Sequence, residues 1–81
     1  MRLSDLPKGS VALVHDVEDV GPRDAIARRL RDLGFVPGEA VRMVTHGPLG
    51  AEPLLVQIGF TRFALRRAEA ARVRVHEEKA A

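Results

Sequence analysis

The spacing of apolar and polar positions along the chain changes period twice. Ser10–Val17 (Ser-Val-Ala-Leu-Val-His-Asp-Val) is a short apolar run rich in β-branched residues, bounded by Gly9 and by the charges that follow, and it predicts a strand. The period then lengthens. Ile26, Leu30 and Leu33 fall at i, i+4 and i+7, which predicts one amphipathic helix ending at Leu33, with Pro22 suited to its first turn and Asp24 favourably placed against the helix dipole. Asp24 and Arg28 are four apart and are expected to pair. Beyond the helix the period returns to two. Val41, Met43 and Thr45 alternate with Arg42, Val44 and His46; Leu54, Val56 and Ile58 share a face; Phe63 and Leu65 oppose Arg62, Ala64 and Arg66; Val73 and Val75 oppose Arg72, Arg74 and His76.

The punctuation between these runs is equally informative. In Arg29–Gly38 (Arg-Leu-Arg-Asp-Leu-Gly-Phe-Val-Pro-Gly), Gly34 sits where a helix ends and a positive φ is wanted, because glycine has no Cβ to clash there. Phe35 and Val36 are placed to fold back on the helix, and Pro37-Gly38 prevents its continuation. Gly47–Pro53 (Gly-Pro-Leu-Gly-Ala-Glu-Pro) reads as a loop between two strands, longer than a tight hairpin. Gly59 breaks the following strand and makes a hairpin with Thr61–Arg66. Leu3 and Leu6 in a first helical turn would plug one end of the core, Ala68–Ala71 is a second single turn, and Glu77–Ala81 reads as a frayed tail. Together these predict a mainly β fold: a small barrel of about five strands with one inserted short α-helix, forming a single domain over residues 1–76.

Composition narrows the function. With 81 residues and 46% hydrophobic positions the chain suits one modest core, built from Val, Leu, Ile and Ala because only three Phe and no Tyr or Trp are present. Cysteine is absent, which removes disulfides, thiolate metal sites and a cysteine nucleophile. His15, His46 and His76 are scattered without metal-ligand spacing, no catalytic triad order is visible, and Gly47-Pro48-Leu49-Gly50 lacks the ending of a phosphate loop. An enzyme, a bound cofactor and a resident metal are not expected. The net charge of +2 is a weak field and does not by itself argue for nucleic acid. No apolar run is long enough to span a membrane and no signal pattern opens the chain, so a cytoplasmic protein is the default expectation.

Two features invite a binding role. Arg28, Arg29 and Arg31 crowd the end of the helix, either as a solvated face that suits the dipole or as a contact surface. Leu49 is a large apolar residue among turn formers, either a staple under the loop or an exposed anchor.

Several of these stretches carry more than a pattern. Leu3-Ser4-Asp5-Leu6-Pro7-Lys8-Gly9, the central Arg29–Gly38 run, Pro48-Leu49-Gly50 with Pro53, Ala64-Leu65-Arg66-Arg67, Glu69-Ala70 and Val73-Arg74-Val75 occur in the order and spacing of the FeoA family, which the chain resembles over Met1 to His76. Two stretches depart from that pattern: Gly50-Ala51-Glu52-Pro53 is one residue longer than the family's usual Pro-Leu-Gly-Asp-Pro ending, and Gly59 comes earlier than the usual hairpin glycine. The resemblance implies an SH3-like β-barrel and a non-enzymatic, regulatory role in ferrous iron uptake, acting with the cytosolic, GTPase-bearing part of the membrane transporter FeoB. Arg28, Arg29, Arg31 and Leu49 are then the expected contacts. Iron-dependent repressors share this fold more distantly, but no room is left here for a helix-turn-helix. The alternative is a basic barrel that binds nucleic acid through Arg62, Arg66, Arg72 and Arg74, disfavoured because its few Phe are expected to be buried. Self-association through a barrel edge strand is a third route.

Overall fold

The computed structural model describes residues 1–49 and 52–77, without the side chain of Leu49. A 3-10 turn, Leu3–Asp5, leads into β1 (Val11–Val17) and then α1 (Ala25–Leu33). β2 (Ala40–Leu49), β3 (Glu52–Ile58) and β4 (Thr61–Leu65) follow as a meander, and a short α2 (Arg67–Ala70) returns the chain to β5 (Val73–Glu77). The five strands form one antiparallel sheet in the order β4-β3-β2-β1-β5. The mainly β architecture of five strands with one inserted short helix between β1 and β2 is as the sequence predicts. Glu77 is part of β5, opposite Ala12, so the strand runs one residue past the expected boundary. Residues 78–81 of the predicted tail lie outside the described residues.

Inward side chains of every strand meet in one core. Leu3 and Leu6 are fully buried and close one end of it, as expected from their spacing. Val14, Val41, Met43, Leu54, Val56 and Leu65 fill the middle, and Phe35 packs there with its ring 5.9 Å from that of Phe63.

Strict alternation fails at two places, for one reason. The β1–β5 register shifts between Val14 and Asp16, and the β2–β3 register shifts between Met43 and Thr45. Each shift inserts a residue and reverses the inward parity beyond it. Val14 and Val17, three apart, are therefore both buried, while His15 is exposed. The expected inward series Val41, Met43, Thr45 ends at Met43, and Thr45 is only half-buried.

Further expectations change. Pro22 lies in a turn ahead of the helix rather than in its first turn; Asp24 is the N-cap and α1 begins at Ala25. The buried face of α1 is Ala27 and Leu30, with Leu33 packed at its margin, whereas Ile26 is exposed. The Gly47–Pro53 stretch is also no long loop. β2 runs through Gly47 and Pro48 to Leu49, and β3 starts at Glu52. A further register shift between His46 and Leu49 accommodates the proline, which cannot donate to the ladder. Gly47 is needed there, because a Cβ would collide with the Glu52 carbonyl. Gly50 and Ala51, between the strands, lie outside the described residues.

The helix-to-sheet corner is as the sequence predicts at Gly34 and Phe35. Gly34 adopts φ 117°, its N–H donates to the Arg31 carbonyl (3.0 Å), and the Phe35 N–H reaches back to the Leu30 carbonyl (3.1 Å). This doubly bonded ending satisfies two terminal carbonyls and turns Phe35 under the helix. Val36 does not fold back and is exposed.

Two substitutions test this corner by urea unfolding. Gly34→Val, which forces a β-branched side chain into the left-handed region, lowers stability by about 1–2 kcal/mol. Phe35→Ala, which empties a fully buried site, lowers it by about 3–5 kcal/mol. A Gly34→Val effect near zero would mean that the corner relaxes and does not fix the helix.

Candidate protein-docking face

The outer face of α1 and the loop before it carry most of the chemistry that the sequence singles out. Asp24 organises this region. Its Oδ1 accepts from the Ala27 N–H (3.1 Å), and its Oδ2 accepts from the Val20 N–H (2.9 Å) and from the Arg72 guanidinium. The Asp24 side chain is only 4% exposed, so these bonds act in a shielded setting. The two main-chain N–H groups, followed by Arg72, hold its carboxyl well below the usual carboxylate range, at about 2. The expected Asp24–Arg28 pair does not form, because a capping carboxylate points back along its own helix start and is already occupied from across the fold by Arg72.

The three helix arginines separate into different roles. Arg31 grips the Asp19 carboxylate with both terminal nitrogens (3.1 and 2.6 Å) and donates to the Val17 carbonyl (2.8 Å). The same contact lowers the Asp19 pKa and raises that of Arg31. Arg29 reaches the Glu69 carboxylate on α2 (3.2 Å). Both therefore pin neighbouring segments to the helix. Arg28 is exposed and, among the described residues, has no ion pair or side-chain hydrogen bond. It lies on the wall of a shallow open depression with Asp19, Pro22, Arg23 and Asp32. The fourth predicted contact, the side chain of Leu49, lies outside the described residues; its main chain pairs with Glu52 at the end of β2, on a different element from the helix.

The arginines of the nucleic-acid alternative divide in the same way. Arg74 holds Asp16 through two short bonds (2.6 Å each), which lowers the Asp16 pKa. Arg72 is committed to Asp24 and to the Glu18 carbonyl, and is not an outward strand residue. Arg62 and Arg66 are exposed. One expectation behind the rejection of that alternative is overturned: Phe60, at the turn between β3 and β4, is fully exposed, because Ile58 pairs directly with Thr61 and the two turn residues have no sheet to pack on.

The histidines are less scattered than their spacing suggests. Pairing of β1 with β5 brings the rings of His15 and His76 to 6.3 Å, edge to face, while the His46 ring bonds the Leu6 carbonyl through Nε2 (3.1 Å). Among the described residues no group of three or more His, Cys, Asp or Glu is assembled for a metal ion, and no helix is long and apolar enough to cross a membrane.

With this geometry in hand, comparison with known proteins is specific. The family model of the FeoA domain matches residues 1–77. A curated relative, the Fe(2+) transport protein A/Fe(2+) transporter FeoB fusion protein of Porphyromonas gingivalis, is 35% identical over 75 residues, which cover 93% of this chain and 8% of that protein. The chain thus spans a small part of that relative's length. The crystal structure of FeoA from Stenotrophomonas maltophilia, solved in complex with zinc and described as a prokaryotic SH3 domain protein, is 64% identical, with a TM-score of 0.87 over 94% of this chain and 89% of that one. The solution structure of the FeoA protein from Chlorobium tepidum is 38% identical, with a TM-score of 0.81 over 95% of this chain and 70% of that one.

The depressed Asp24 carboxyl makes a pH test. Its folded value of about 2 lies below the ordinary value of about 3.9, so its contribution to stability is complete above pH ~4 and is lost as pH falls towards 2. Urea midpoints measured from pH 5 to pH 2 are expected to fall more steeply for the native protein than for Asp24→Asn and to approach it at the acid end. Parallel curves would remove Asp24 from the acid response.

Proposed function

The chain belongs to the FeoA family, and on that premise we propose that it is a non-enzymatic accessory protein of ferrous iron uptake, acting in the cytoplasm by docking on the cytosolic part of a FeoB-type transporter. The observation that carries this reading is the fusion relative, in which a segment similar to nearly the whole of this chain is joined to FeoB. A covalent link keeps two partners at high effective concentration, which profits a pair that works in contact. The S. maltophilia structure, described in terms of a ferrous iron transport activating factor, supports the same role.

The chemistry of the face agrees with binding rather than catalysis. Arg29 and Arg31 are engaged within the molecule, which leaves Arg28 as the helix arginine available to a partner. A contact through Arg28 is electrostatic and rim-like, so it mainly sets encounter rate and salt dependence. Leu49, at the end of β2, is the second proposed contact and would supply apolar anchorage.

Titration of the 15N-labelled protein with the cytosolic domain of its own organism's FeoB-type transporter tests this. Saturable amide shifts are expected around Arg28 and around Leu49 at the end of β2. Arg28→Glu, at an exposed position, is expected to weaken binding by about tenfold and to flatten its salt dependence while the fold persists. Absence of shifts at high concentration overturns docking on the cytosolic domain.

A further inference from the structure

We propose that the outer edge of β4 is a docking site for an extended, acidic segment of a partner protein, added to the sheet as a sixth strand. Three observations converge on this edge. β4 has a strand neighbour on one side only, whereas the other outer strand, β5, is partly covered by the start of the chain: Arg2 bridges to Arg74, and the Val75 N–H donates to the Met1 carbonyl (2.9 Å). Among the described residues no main-chain bond from outside the sheet reaches Thr61–Leu65. The hairpin closes on the Ile58–Thr61 pair and continues through Gln57–Arg62, Val56–Phe63, Leu55–Ala64 and Leu54–Leu65. Main-chain groups alternate sides along an antiparallel strand, so the N–H and C=O groups of Arg62 and Ala64 face away from β3.

The second observation is Phe60. It stands fully exposed at the start of this edge, in a turn where small or polar residues are usual. An aromatic ring placed there is a ready anchor for an apolar side chain. The third is charge. Residues 59–68 contain Arg62, Arg66 and Arg67 and no acid. The Arg62 guanidinium donates to the neutral Gln57 side chain (3.0 Å) and that of Arg67 to the Ser4 carbonyl (3.4 Å). The nearby carboxylates of Glu69 and Glu52 are engaged by the main-chain N–H groups of Arg66 and Arg67, and Glu69 also by Arg29.

Charge also selects the occupant. A second copy pairing through β4 would bring two sets of exposed arginines onto one pair of strands, an unfavourable arrangement and a common protection against edge-to-edge association. An acidic strand neutralises the same residues while its main chain completes the ladder. This site is separate from the Arg28 face and does not depend on the identity of the transporter partner.

The probe is a blocked peptide of about ten residues alternating valine and glutamate, with the lysine counterpart as control. Titration into the labelled protein is expected to give saturable shifts confined to residues 59–66, with slowed hydrogen exchange at Arg62 and Ala64; the lysine peptide gives none. Ala64→Pro removes an edge donor and is expected to abolish binding. Arg62→Glu, a surface change that leaves every main-chain group in place, is expected to weaken it by about tenfold. No saturation at millimolar peptide, or shifts centred on α1, overturns the proposal. So does equal binding of the lysine peptide, which leaves charge out of the recognition. A dimer in sedimentation that Ala64→Pro dissolves would assign the edge to a second copy, and tighter binding of oligo-dT at β4 than of the acidic peptide would assign it to nucleic acid; either result refutes an acidic strand.

Discussion

A single carboxylate ties the two halves of this fold together. Asp24 accepts from the Val20 N–H, from the Ala27 N–H and from Arg72, so one side chain fixes the loop after β1, the start of α1 and the approach to β5. Its placement matters because the helix is short. Nine residues bury only Ala27 and Leu30 fully, too little apolar surface to position a helix by packing alone. The N-cap sets where the helix begins, and the Gly34 turn sets where it ends. Between those two points two of the helix arginines act as struts: Arg31 to Asp19 and Val17, and Arg29 to Glu69. Ion pairs at such exposed positions are individually weak. Their value here is directional, since each links α1 to a different neighbouring segment.

That division of labour explains which parts were legible in advance. The corner Arg29–Gly38 was readable because its logic is local: glycine for the left-handed residue, an aromatic to fold under, proline to stop the helix. The strands were readable from their alternation, and Leu3 and Leu6 from their spacing beside a turn. Legibility failed where a partner far along the chain decides. Asp24 was expected to pair with Arg28 because a sequence displays neighbours, yet its cation comes from Arg72, 48 residues away. Ile26 looked inward because it completes an i, i+4, i+7 series, but the N-cap at Asp24 and the Phe35 turn rotate the helix so that Ala27 takes that place.

The two bulges mark a second limit. An inserted residue leaves composition and local propensity unchanged while reversing which face every later residue occupies. Val14 and Val17 are both core residues only because the β1–β5 register shifts beside His15. Pairing of β1 with β5 brings His15 beside His76, residues 61 apart in sequence. Gly47 and Pro48 misled in the opposite sense. Both are turn formers, yet here one admits a close carbonyl and the other sits at a register shift inside a strand. Arg28, Arg29 and Arg31 are indistinguishable in the sequence until the fold supplies Asp19 and Glu69, which engage Arg31 and Arg29 and, among the described residues, leave Arg28 without an ion pair.

Charge on this molecule is therefore better understood by location than by sum. Thirteen basic and eleven acidic residues nearly cancel, yet they are not mixed evenly. The acids at positions 16, 18, 19 and 24 fall at the end of β1 and in the segment that leads to α1, where Arg2, Arg31, Arg72 and Arg74 pair with them. Arginines used as internal struts are lost to any partner, since extracting one would leave a carboxylate uncompensated. Among the described residues Arg28 on α1, Arg62 on β4 and Arg66 just after it are exposed and in no ion pair. Distributing the arginines so that some hold the fold and others remain exposed makes the exposed positive charge a consequence of the same pairing that anchors the helix.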